Sequence, residues 1–328
     1  MRAFEPGEAV AHLPWLSPGT AALTCLARSP SATLWPQLRV DPGAVLLLLR
    51  TLPSESAPHL KTLEGALRSA DLLDLARQNL RNHAAGYVDW SGSSVAPVYQ
   101  AGVNFARLAW LLSQRIGCDP ACAWIGGLLA PLGWLAVCAV DSDSVAECRQ
   151  QALLPQRQAE WQRRCWGQDA PALARRLARR WQLPLWLHAI VGYLGMPLEH
   201  AEALGADGRL FAIVQWAVNL GQAHGHSLGL AIGSDRDELR SRLRLTSEDE
   251  AAVLNAWEAL VESDALPAHW PDPRREPLLL DLLAVAGDLR RRDSRSFTER
   301  TEQEIDWLQR QLAEQKAAET QQIGRAHV

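Results

Sequence analysis

Apolar residues recur at helical spacing along nearly the whole chain, and no stretch joins alternating polarity to β-branched enrichment over a strand's length. The pattern predicts an all-α fold, a multi-helix bundle followed by a long C-terminal helix. Its most apolar part runs from Pro120 to Val140 without a single charged residue. A run of that length can cross a bilayer. Gly126, Gly127, Pro131 and Gly133 argue against it, because they would leave a lipid-facing helix broken at its centre with unpaired backbone groups. Two short buried helices joined at Pro131 are expected instead, walled in by the rest of the chain.

The other elements follow from caps and breakers. Residues 1–40 hold Pro14, Pro18, Pro30 and Pro36 and should form short turns across the surface of the core. Asp41-Pro42-Gly43 opens a helix, with the aspartate as cap and the proline where no amide donor is needed. Helices are expected over Leu60–Ala70 and Leu72–Asn82, then a Gly- and Ser-rich loop from Ala84 to Val95 that carries Trp90. A wide apolar face predicts a central helix over Ala96–Ile116, ended by Gly117 and Pro120. Asp141-Ser142-Asp143-Ser144 caps the next helix, and Pro171–Gln182, Leu185–Gly192, Leu210–Gly221, 247–265 and 277–290 complete the set, with Gly221 as a helix stop. Beyond Arg292 the composition turns polar and rich in Gln and Glu, which places a boundary between a helical domain over 1–292 and a C-terminal helix over 293–328.

The chain has 328 residues, of which 48% are hydrophobic, enough for a substantial core. Net charge is −4 with basic residues spread over many helices, so no basic face points to nucleic acid. The six cysteines, Cys25, Cys118, Cys122, Cys138, Cys148 and Cys165, show no Cys-x-x-Cys pairing and fit buried free thiols in a reducing cytoplasm. The N-terminus has a glutamate and a proline where an export signal needs an apolar core.

Candidate chemistry is sparse. His224-Gly225-His226 is the one close histidine pair, without a carboxylate or thiol at ligand spacing, and reads as a solvated loop. His188 lies in an apolar helix and is expected to be a hydrogen-bonded core residue. Cys118 and Cys122 lack an evident base. Arg175, Arg176, Arg179 and Arg180 form the charged outer face of a helix, and Trp90, on its polar loop, is a candidate contact residue.

In order along the chain, several pieces resemble the HDOD domain, a relative of the HD and HD-GYP metal-dependent phosphohydrolases. They are Asp41-Pro42-Gly43 with its Leu run, Thr62-Leu63-Glu64-Gly65-Ala66-Leu67, Gly127-Leu128-Leu129-x-x-Leu132-Gly133, Trp181-x-Leu183-Pro184, Ile190, and Ala212-Ile213-Val214 followed by Ala217. Together they span roughly residues 20–225. The resemblance implies a fold whose catalytic members hold a metal pair with histidines and an aspartate. Here the His-Asp positions are Ala130 and Pro131, and the remaining ligand positions are Tyr193, Leu194, Ala170, Val218, Gln100 and Ala101. Methyl, proline and leucine side chains cannot ligate a divalent metal. No catalytic, cofactor-binding or metal residue is therefore assigned, and the former pocket should be filled by Leu128, Leu132 and Tyr193.

The resemblance implies a non-catalytic sensor domain of a bacterial signalling protein, binding a partner or small ligand and passing a signal to a histidine kinase module. The alternative is an HD-type phosphohydrolase or cyclic-dinucleotide phosphodiesterase. The tail from Phe297 to Gln322 supports an output helix: Ile305, Leu308 and Leu312 fall at coiled-coil spacing, which predicts a homodimer. Gln315, Glu319 and Gln322 continue the register with polar residues, so the seam is short, and the ending at Val328 without a cap suggests a chain cut before an output domain.

Overall fold

The computed structural model describes residues 6–19, 22, 38–50, 52, 88–150 and 155–262. Among them are thirteen helices: α1 (Pro6–His12), α2 (Pro42–Arg50), α3 (Ala96–Ile116), α4 (Pro120–Leu129), α5 (Leu132–Cys138), α6 (Ser142–Gln150), α7 (Pro155–Trp166), α8 (Ala170–Arg180), α9 (Leu185–Tyr193), α10 (Leu198–Ala203), α11 (Gly208–Ala223), α12 (Arg236–Leu243) and α13 (Ser247–Glu262). No strand occurs among the described residues, and Gly19 and Val88 make an isolated bridge. The expected helices over 60–70, 72–82 and 277–290, the boundary near Arg292 and the coiled-coil tail lie outside the described residues.

Helix α3 is the axis. It packs along α4 on one side and against α11 and α13 on others. Phe105, Leu108, Ile125, Leu128, Ile213 and Val214 are wholly buried where these helices meet. Each such side chain contributes about 1.5–3 kcal/mol relative to exposure. The start and stop of α3 follow the sequence: Pro97 lies in its first turn, and Gly117 ends it in the left-handed region at φ 67°. Asp119 then caps α4, accepting from the amides of Ala121 and Cys122 at 2.8 and 3.3 Å.

Pro131 stands between α4 and α5, as the apolar run predicts. The two helices meet at a bend of 52° with nearly every residue buried. No described helix is long and apolar enough by itself to cross a membrane.

Asp41 caps α2 through the amide of Ala44 at 2.7 Å, and Asp141 caps α6 through Ser144 at 3.1 Å. Over the described residues 6–19 the N-terminal segment departs from expectation. It does not lie across the surface: Trp15, Leu16 and Ser17 are at most 3% exposed, and α1 packs on α5, α7 and α8. Proline punctuation marks short elements but says nothing of their depth. Gly221 does not end α11 either. The helix runs on to Ala223, and Gly221 lies where a Cβ would come within 2.7 Å of the Phe105 ring, so its small size serves the packing of α11 on α3.

Candidate functional site

The positions that would carry metal ligands in a catalytic HD protein can be located one by one. Ala130 and Pro131 form the turn between α4 and α5, Ala170 begins α8, and Leu194 follows α9. All four line one small cleft, together with Gly133 and residues 230–231, and its volume is about 20 Å³. That is room for about one water molecule. Val218 and Ala101 are buried elsewhere in the core, and Gln100 is exposed.

Backbone contact helps to close the cleft, beside the side chains of Trp134, Val191 and Leu230 that line it. Gly133 lets α5 press onto the start of α8, where any Cβ would run into the carbonyl of Ala170. The expected fillers are misplaced. Leu128 and Leu132 belong to the core beside the cleft, and Tyr193 turns away, with its ring 5.9 Å from that of His188 and 5.7 Å from the guanidinium of Arg175. A residue at the end of a helix can turn either way, and its spacing in the sequence does not say which.

The polar groups around the cleft hold backbone. Gln162 accepts from the amide of Ala170 at 2.9 Å. Gln215, wholly buried in the otherwise apolar middle of α11, donates through Nε2 to the carbonyls of Leu194 and Met196 at 2.8 and 2.9 Å. Both partners are acceptors, which settles the orientation of the amide and leaves Oε1 without a hydrogen-bond partner among the described residues. A lone glutamine between Val214 and Trp216 is the signal that could have marked it in the sequence. The residues lining the cleft offer hydrocarbon and backbone, so they do not fit a metal pair. Among the described residues no three His, Cys, Asp or Glu side chains converge as a metal site would require.

The histidines occupy other places. His224 and Gly225 are exposed in the turn after α11, as a solvated loop would be, while His226 is half-buried; the His226 and His224 rings lie 5.9 and 5.6 Å from Trp257 of α13, and His226 Nε2 is 3.2 Å from Nδ2 of Asn104. Asn104 Oδ1 also accepts from the Trp257 indole at 3.2 Å, so one buried asparagine joins α3, α13 and the turn after α11. Burial, then the charges of Arg107 and His224, hold His226 below its ordinary pKa. His188 is half-buried, and its Nε2 has no hydrogen-bond partner among the described residues, contrary to expectation. Burial and the guanidinium groups of Arg179 and Arg175 lower its pKa.

The arginines of α8 do more than face solvent. Arg175 donates to the carbonyl of Gly192 at 2.9 Å and Arg180 to that of Ala11 at 2.7 Å, while Arg176 and Arg179 are exposed. Trp90 is not a surface contact. It is 7% exposed and its indole donates to Asp41 at 3.1 Å. Burial pushes the thiol of Cys122 up to about 12 and raises that of Cys118, which makes both poor nucleophiles.

The family model of the HDOD domain matches residues 82–195, which hold α3 to α9 and most of the cleft. The MmoQ response regulator of Methylococcus capsulatus has a similar fold, with a TM-score of 0.52 and 19% identity, covering 73% of this chain and 98% of that one. An HDOD domain protein of unknown function from Geobacter sulfurreducens aligns with a TM-score of 0.42 and 16% identity, over 80% of this chain and 97% of that one. No curated protein matches the chain. With the helical order, the Pro131 break and the family match at one place, residues 82–195 of this chain are an HDOD domain.

Proposed function

We propose that this chain is a non-catalytic signalling module, in which the HDOD domain binds a partner or small ligand and the segment from residue 293 passes the response to a histidine kinase module in the cytoplasm. The observation that supports it most is the shared cleft of Ala130, Pro131, Ala170 and Leu194, which offers no ligating side chain and room for about one water. Hydrolysis of a phosphoester by a metal-bound hydroxide needs ligands and space for substrate at the same point. The name of MmoQ as a response regulator is in keeping with a signalling role.

Elemental analysis of the purified chain, with assays on a phosphodiester and a phosphomonoester, tests this reading. Less than a tenth of a metal per chain, on the order of adventitious binding, and no metal-dependent turnover are expected. About one metal per chain, retained after mild chelation and required for hydrolysis, overturns it.

A further inference from the structure

A second cleft, with a volume of about 330 Å³, opens between the segment after α1, the end of α2 and the turn after α8. Its size falls within the range of small-molecule sites, about 300–1,000 Å³. Trp15 and Trp181 form the floor, with ring centroids 5.0 Å apart and planes inclined by 44°. Leu49, Leu183 and Pro184 are further apolar lining.

Two exposed arginines stand at this cavity, whose lining is polar as well as apolar. The guanidinium carbon of Arg50 lies 5.1 Å from the centre of the Trp15 ring, and Arg180 spends one N–H on the carbonyl of Ala11. A guanidinium carries five donors, so most remain available. Among the described residues no acidic side chain lines the cleft, and none pairs with either arginine. The turn that forms one wall is strained: Gln182, not a glycine, is held at φ 52°. Strain of this kind costs about 1–3 kcal/mol and persists where surrounding structure enforces it.

We propose that this cleft binds a small organic anion, a carboxylate or phosphate monoester carried on an apolar ring, with the charge taken by Arg50 and Arg180 and the ring set against Leu183, Pro184 and the tryptophan floor. A hollow that joins apolar rings to charged and polar groups favours a ligand of that mixed character over a bare ion. The inference rests on the signalling reading only for the ligand's role as an input; binding is measured without reference to output.

Calorimetric titration of the whole chain with phenyl phosphate, benzoate and inorganic phosphate tests it. Phenyl phosphate or benzoate should bind one per chain in the submillimolar range, at least about tenfold more tightly than inorganic phosphate. Arg50→Gln should weaken that binding about tenfold or more while leaving the melting temperature unchanged, and Arg180→Lys should weaken it in the same direction. No binding of either organic anion up to about 10 mM, inorganic phosphate binding as tightly as phenyl phosphate, or full affinity in Arg50→Gln would each overturn the proposal. A bound ligand without effect on an attached output domain would overturn the signalling reading and leave the site standing.

Discussion

The indole N–H of Trp90 donates to Oδ2 of Asp41 at 3.1 Å, across 49 residues of sequence. The same carboxylate accepts the amides of Gly19 at 2.8 Å and Ala44 at 2.7 Å. Asp41 is wholly buried, so these donors stand in for the water it has lost. Trp90→Phe keeps an aromatic ring and removes one donor. It should lower the free energy of unfolding by about 1–3 kcal/mol, read as a shift in urea midpoint at constant slope.

Asp41 also predicts a pH dependence. Burial raises its pKa from 3.8 to about 6, against the opposing pull of the hydrogen bonds from Ala44, Gly19, Trp90 and Gly43. The folded chain therefore holds a proton that the unfolded chain has released. The stability from this group is complete below 3.8 and is lost as pH rises through about 6. The difference in unfolding free energy between wild type and Asp41→Asn should fall by about 3 kcal/mol over that window and stay level above it. A difference that rises over the same window would mean that the hydrogen bonds outweigh burial.

Gly133 and Gly117 should respond differently to alanine. At Gly133 the new methyl would meet the Ala170 carbonyl, forcing α5 from α8 at a cost of about 1–3 kcal/mol. At Gly117 nothing lies within 4 Å, and the cost comes from φ 67° alone, about 1 kcal/mol. Thermal unfolding separates them further: a ligand-sized cleft opened beside Ala130 should make Gly133→Ala, and not Gly117→Ala, bind a hydrophobic dye before melting.

Much of this architecture is legible in the sequence because it is local. The bounds of α3, the Asp41 and Asp141 caps and the break at Pro131 depend on residues within a turn of each other. The partners of those local features are not legible. Asp41 reads as a cap, but nothing near it in the chain announces Trp90, whose Gly- and Ser-rich surroundings suggest exposure. Gly221 ends no helix because a contact with Phe105, far away in sequence, decides its role. The vacated metal positions could be named from a motif, yet their convergence on one cleft, and the turn of Tyr193 away from it, required three-dimensional packing.

The C-terminal segment gives a prediction from sequence. If Ile305, Leu308 and Leu312 form a seam, the chain should be a dimer by light scattering at high concentration. Leu308→Asp with Leu312→Asp should halve the measured mass. A wild type that stays monomeric, with mass unchanged by the two substitutions, rules the seam out.

Trp257→Phe removes the donor that Asn104 accepts at 3.2 Å and should cost about 1 kcal/mol. Its informative readout is His226: with its neighbour's hydrogen bonding altered, the imidazole pKa followed by NMR should move.

The uncharged run that bends at Pro131 has a consequence for synthesis. Helix α4 is covered by α3, which precedes it, and by α11, which ends only at Ala223. A ribosome moving at about 5–20 residues per second needs roughly 4–17 s to travel from Cys138 to Ala223. For that interval the most water-averse part of the chain has one wall and lacks the other. A holdase that recognises apolar segments should therefore crosslink to Trp124–Val137 on stalled nascent chains that end before α11, and release them once α11 has cleared the exit tunnel.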